Sequence, residues 1–155
     1  MINPVILSGL LLPLLLLMPS MPPAMEPVRV TVVVIYASSE HADSDPRLAE
    51  LAREIQKREP GYTCFKLVQM LQKSIPIGES HRFALPDKQT LKVTAERPRD
   101  NDNRVCLSIE PPGFGSITYS CTCNKFLPLI TPHQTADGQR LILAIMAKPC
   151  TGQGP

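Results

Sequence analysis

Val28–Tyr36 reads VRVTVVVIY, and the reading of this stretch decides the fold. Its first half alternates Val28, Val30 and Val32 against Arg29 and Thr31, the period of a strand. Its second half is continuously apolar and mostly β-branched, as a strand covered on both faces requires. The stretch predicts a central strand. Leu141–Ala147 (LILAIMA) is apolar on both faces in the same way. The folded part thus begins and ends with its two most buried strands, which are expected to lie near each other in the sheet core.

Only a covered outer face allows a strand to be apolar on both sides, and the next segment supplies the cover. Ala37–Ser44 is polar, Asp45 is a capping residue, and Pro46 follows at the first helical position, where its missing N–H costs nothing. Leu48, Leu51, Ala52 and Ile55 then recur at helical spacing and form one apolar stripe. Glu54 and Arg58 stand four apart in the favourable order on the solvent side, and Pro60-Gly61 ends the segment. The expected strand partners of the stripe are Val32, Val34, Leu141, Leu143 and Ile145.

After Gly61 the period changes to two. Thr63, Phe65 and Leu67 alternate with Cys64, Lys66 and Val68, and Leu71–Ile77 is ambiguous before a turn at Pro76-Ile77-Gly78. His81, Phe83 and Leu85 form a run ending at the turn Pro86-Asp87, and Leu91, Val93 and Ala95 form its hairpin partner with one wet face. An exposed loop at residues 98–103 leads to Val105, Leu107 and Ile109, and Pro111–Gly115 breaks the chain again. Ile117–Cys123 is the next strand. Phe126–Ile130 contains Pro128 and reads as an edge or irregular piece. The pattern predicts an α+β domain: one amphipathic helix packed on a mainly antiparallel sheet or partial sandwich of roughly six or seven short strands.

Residues 1–24 carry no charged side chain, so all 16 Lys+Arg and all 14 Asp+Glu lie beyond them. Within them Val5–Met18 spans about 21 Å as a helix, short of a hydrocarbon core of about 30 Å, and Pro13 interrupts it. These residues are expected to be a signal peptide or N-terminal anchor, with export of the remainder and cleavage near Ala24. Residues 25–27 read as a linker, 28–150 as a single domain, and 151–155 as a flexible tail. A net charge of +2 over mixed-sign positions gives no electrostatic case for nucleic acid. Contact with a membrane is expected only through the N-terminal segment, if it is retained.

The layout resembles small exported bacterial proteins without a characterised activity, built from a leader, one helix and a run of β-hairpins. The resemblance rests on the VVVIYAS strand, the DPRL helix start and the LILAIMA final strand, and it transfers no functional residue.

The most unusual local feature is Cys121-Thr122-Cys123. Residues two apart on a strand share a face, so the two sulfurs are placed to share a partner. A disulfide to Cys150 or Cys64 is one expectation, which an oxidising compartment favours, and free thiols buried as small hydrophobes are another. The alternative is a thiol-based metal or redox site of Cys121, Cys123 and Cys150, with His133 as the fourth ligand. Asp43 and Asp45 in the loop 40–45 are read as a helix cap plus a solvated turn, since the later Gly and Glu of a calcium loop are missing. His41, His81 and His133 fall in three segments, and no nucleophile elbow, zinc-protease helix or redox Cys-x-x-Cys occurs. Gly113-Phe114-Gly115 is a turn rather than a phosphate cradle.

The sequence therefore points to an exported, non-enzymatic binding or structural module of the cell envelope, without cofactor. Its expected partner is an envelope protein or surface ligand.

Overall fold

A computed structural model of the chain describes residues 25–40 and 43–149. The expected leader, His41, Cys150 and the tail lie outside the described residues. Among the described residues eight strands run in the order β1 (Val28–Ser38), β2 (Cys64–Ile75), β3 (Ser80–Ala84), β4 (Thr90–Arg97), β5 (Arg104–Glu110), β6 (Ile117–Thr122), β7 (Leu127–Gln134) and β8 (Arg140–Pro149). One helix, α1 (Ala49–Arg58), follows a single tight turn at Pro46–Leu48. The strands form two antiparallel four-stranded sheets, ordered β2-β1-β8-β7 and β3-β4-β5-β6. The count exceeds the expected six or seven because Phe126–Ile130, read as an edge or irregular piece, belongs to a full strand, and the pattern also under-reads the length of two strands. The ambiguous Leu71–Ile77 continues β2 as far as Ile75, and β7 runs on through Pro132.

β1 lies between β2 and β8, with Val28 opposite Pro149 and Ala37 opposite Arg140. The first and last strands are thus direct neighbours in the middle of their sheet. Even-numbered Val28, Val30, Val32 and Val34 face the second sheet and share a core with Leu91, Val93, Val105, Leu107 and Ile109. From β8, Leu141, Leu143 and Ile145 join the same side. The two sheets therefore pack face to face across one apolar layer. The outer face of the second sheet stays wet, with Thr94, Ser108 and Thr118 among residues that remain at least partly exposed.

The opposite parity belongs to the helix. Val33, Ile35 and Ala37 of β1 and Ile142 and Ala144 of β8 meet Leu48, Ile55 and Phe65, with Leu51 and Ala52 at the margin. This corrects the expected partners. The helix does cross the first and last strands, but Val32, Val34, Leu141, Leu143 and Ile145 point away from it. Side chains alternate with period two, so a one-residue shift in assignment moves the whole set to the other face.

The helix start follows the capping logic. The Asp45 carboxylate accepts the backbone N–H of Arg47 at 3.0 Å and pairs with its guanidinium at 2.6 Å. Those bonds hold the Asp45 carboxyl below its usual range. The expected Glu54–Arg58 pair is replaced: Glu54 takes Lys57 at 2.6 Å, and Arg58 instead reaches the Pro128 carbonyl at 3.5 Å.

β7 is an edge strand, as Pro128 implies. Its ladder to β8 breaks between Ile130 and Gln134, around Pro132, which has no N–H to give. Side chains replace the lost bonds. The buried Thr131 hydroxyl donates to the Leu141 carbonyl at 2.7 Å, and the Arg140 guanidinium donates to the Pro132 carbonyl at 2.8 Å.

Candidate functional sites: an uncharged sheet edge, a thiol group and an Asp–His pair

Four strands end the two sheets, and each edge exposes unpaired backbone groups that another chain could use. Three of the four carry protection. β2 has Lys66 and Lys73 and a bulge where its register to β1 shifts between Val34 and Ile35. β3 is only 5 residues long and carries His81 and Arg82. β7 holds Pro128 and Pro132. β6 (ITYSCT) has no charge, no proline and no bulge, and it pairs with β5 in continuous register from Ile117–Ile109 to Thr122–Arg104.

The side chains of β6 add to the contrast. Ile117, Tyr119 and Cys121 share one face, and Cys121 is buried between the sheets. Ile117 and Tyr119 remain 40% and 41% exposed, and Phe114 in the preceding turn is 52% exposed. The turn itself is fixed on β7: Gly113 has φ +78°, and a Cβ there would stand 2.5 Å from Pro132 Cγ. The Gly113-Phe114-Gly115 turn thus serves packing. Nothing in the sequence marks β6 as an edge, since edge status depends on strand order.

The thiols fall in two places. Cys121 ends in the inter-sheet core, and Cys123 joins it there from the turn just beyond β6. The two sulfurs belong to one core as the spacing implies, although the strand stops at Thr122. Burial, with smaller contributions from Cys106 and Cys123, pushes the Cys121 thiol up to about 12. Cys106 is also buried and lies 3.6 Å from the Arg97 guanidinium. Cys64 sits at the start of β2, with its sulfur 3.9 Å from the Asp43 carbonyl. All four are free thiols, so the expected bridge to Cys64 is not formed. Its physical obstacle is placement: Cys64 pairs with Ser38 at one end of β1, whereas Asn124, next to Cys123, bonds the carbonyl of Ala147, which pairs with Val30 near the other end.

His133, the expected fourth ligand, is placed elsewhere. It lies on β7, and its Nε2 is 3.0 Å from the Asp87 carboxylate in the β3–β4 turn. No cluster of three or more His, Cys, Asp or Glu side chains suited to a metal forms among the described residues. Asp43 and Asp45 stay at the helix start, with Asp45 committed to Arg47. His81 is half-buried and packs edge-on against Phe83 at 4.8 Å.

The Asp87–His133 pair was not legible from the sequence, because its members are 46 positions apart and meet only through sandwich geometry. The turn that holds it carries strain: Asp87 and Lys88 have φ 58° and 56°. Two successive left-handed residues make the hairpin turn that usually selects Asn-Gly. Tyr36 lies nearby, its phenol pushed up by burial first and by the Asp87 charge second. An imidazole oriented by a carboxylate is two parts of an acid–base relay. Here the pair ties the β3–β4 turn to β7. An open hollow of about 230 Å³ beside Val28, Arg99 and Pro149 is smaller than a typical ligand pocket.

Comparison with protein-family models, with curated proteins and with solved structures finds no match to this chain.

Proposed function

We propose that the protein is an exported, non-enzymatic module of the cell envelope that binds through β6. The observation that supports this reading is the contrast among the four sheet edges. Charge, proline or a bulge guards three, while β6 leaves an uncharged backbone edge beside exposed Ile117, Tyr119 and Phe114. Edges left open in this way accept an added strand, with main-chain hydrogen bonds giving affinity and side-chain contacts giving specificity. The uncharged residues 1–24 support the exported location.

The test places a photo-crosslinking side chain at Tyr119, or at Met70 on the β2 edge, in the native host. A discrete adduct from position 119 alone is the expected result. Equal labelling from both positions refutes β6 as the binding edge. Fractionation of the same cells, with N-terminal mass spectrometry, tests export independently.

A second reading uses the thiols. Asn124, next to Cys123, donates its N–H to the Ala147 carbonyl at 3.0 Å, so the Cys123 turn lies against the end of β8, three residues before Cys150. That neighbourhood favours a Cys123–Cys150 bridge over a metal centre, because His133, the expected fourth ligand, pairs with Asp87 instead. Non-reducing peptide mapping of the host-derived protein decides it. A bridged peptide pair supports this reading, and five free thiols refute it.

A further inference from the structure

We propose that β6 is the seam of a two-fold dimer of this chain, with Tyr119 opposite its own counterpart and two four-stranded sheets joined into one of eight. The inference rests on β6 being the binding edge and names its occupant as a second copy.

A two-fold axis perpendicular to a sheet brings two copies of one strand together antiparallel and keeps each face on its own side. Residues directly opposite in an antiparallel pair share a face, so odd-numbered residues of β6 must meet odd-numbered ones. With the axis at Tyr119, Ile117 stands opposite Cys121 and Thr118 opposite Ser120. Tyr119 then meets Tyr119 on the apolar face, and hydroxyls meet on the wet face. Both are favourable cross-strand pairings.

Charge selects the same register independently. Ile109 pairs with Ile117 and Arg104 with Thr122, so Glu110 stands one residue beyond the first pair and Arg104 at the level of the second. Across an axis at Tyr119, Glu110 of each copy falls level with Arg104 of the other, on the same wet face. The two are three strand spacings, about 14 Å, apart in backbone position, a gap that long side chains narrow. A slide by two residues in one direction sets Glu110 level with uncharged Cys106. A slide in the other sets it against the loop that holds Asp100 and Asp102. One register thus satisfies the apolar pairing and the charge match together. Arg104 also pairs with Asp102 in its own loop at 2.8 Å. Charge across the axis therefore chooses the register, while affinity comes from the edge hydrogen bonds and the cover over Ile117, Tyr119 and Phe114. An unrelated extended peptide satisfies the edge but has no counterpart to the Glu110–Arg104 match.

Sedimentation equilibrium of the purified full chain, alongside Tyr119→Lys and Met70→Lys, tests the seam. Met70 is 58% exposed on the β2 edge and serves as the control. Wild type and Met70→Lys should be dimers at micromolar concentration, while Tyr119→Lys, which sets two ammonium groups face to face, should raise the dissociation constant at least about 100-fold. Mild oxidation of Tyr119→Cys should give a covalent dimer, because directly opposed residues lie within disulfide range. Thr118→Cys should not, since its own counterpart lies diagonally, about 8 Å away by strand spacing and rise. A monomeric wild type at about 100 μM, or equal cross-linking from both thiol variants, overturns the dimer. Those results leave the Tyr119 photo-adduct as a separate readout: an adduct to a different protein then keeps the binding edge and removes only the second copy.

Discussion

Truncating Ile55 to Ala should be the most costly change in the helix, and the magnitude follows from its position. Ile55 is 0% exposed and is the one helical residue of the stripe wholly enclosed by β1, β8 and Phe65, whereas Leu51 is only partly covered. Removing about three buried carbons loses about 0.8 kcal/mol each, or about 2.4 kcal/mol of transfer free energy. A cavity term is added to the extent that the helix fails to settle into the space, which brings the total to about 2.5–4 kcal/mol. Leu51→Ala should cost about half as much, because part of its side chain already touches water. Urea unfolding followed by far-UV circular dichroism measures both. With a slope of about 1–3 kcal/mol per molar urea, Ile55→Ala should lower the midpoint by roughly 1–4 M. Equal midpoints for the two variants, or a larger effect at Leu51, would refute the assignment of the odd-numbered face of β1 to the helix.

The thiol of Cys121, raised from 9.0 to about 12, should resist iodoacetamide at pH 8.5 in the native protein and react after urea is added. Because its folded value lies above its unfolded one, its contribution to stability is complete below pH 9 and is lost as the pH rises through about 12, which alkaline titration of the urea midpoint reads. Gly113→Ala should cost about 1–3 kcal/mol, since the new methyl meets Pro132 at 2.5 Å in a left-handed backbone, and a thermal melt reads it. Lys88→Gly should stabilise by about 0.5–1 kcal/mol by relieving the left-handed strain at φ 56°, and loss of stability there would show that Lys88 makes a contact worth more than the strain.

The hairpins of the second sheet were legible because each keeps one wet face, and alternation names the inward residues Phe83, Leu91, Val93, Val105 and Leu107 directly. β1 and β8 were legible as strands but not as to which face the helix covers, because both faces are apolar over Val32–Ile35 and Leu141–Ile145. One signal did exist. Arg29 and Thr31 share the odd face with Val33 and Ile35, so that face turns apolar only partway along β1, where the short helix α1 lies over it. The edge character of β6 had no local signature, since Ile117–Thr122 would read the same in the centre of a sheet. The Asp87–His133 contact was hidden for a related reason: it joins a turn of one sheet to an edge of the other. Thr131 illustrates a third kind of miss. Its hydroxyl carries a hydrogen bond that Pro132 cannot make, and no periodicity encodes such a substitution.

The adjacency of β1 and β8 also bears on when this chain can fold. β1 is the first strand to be made and β8 the last, yet Val28–Ala37 pairs with Arg140–Pro149 along almost its whole length. Until Leu141–Ala147 has been synthesised, one flank of β1 has no neighbour, and both apolar layers lack the side chains that β8 contributes. Closing so long a loop carries an entropic cost that only a chain extended through β8 can offset, and topologies dominated by such distant pairings fold slowly. The architecture delays its own completion until β8 has been synthesised. For a polypeptide that, on the proposal made here, crosses a membrane before it matures, that delay keeps the unfolded, transportable state open for as long as it is required.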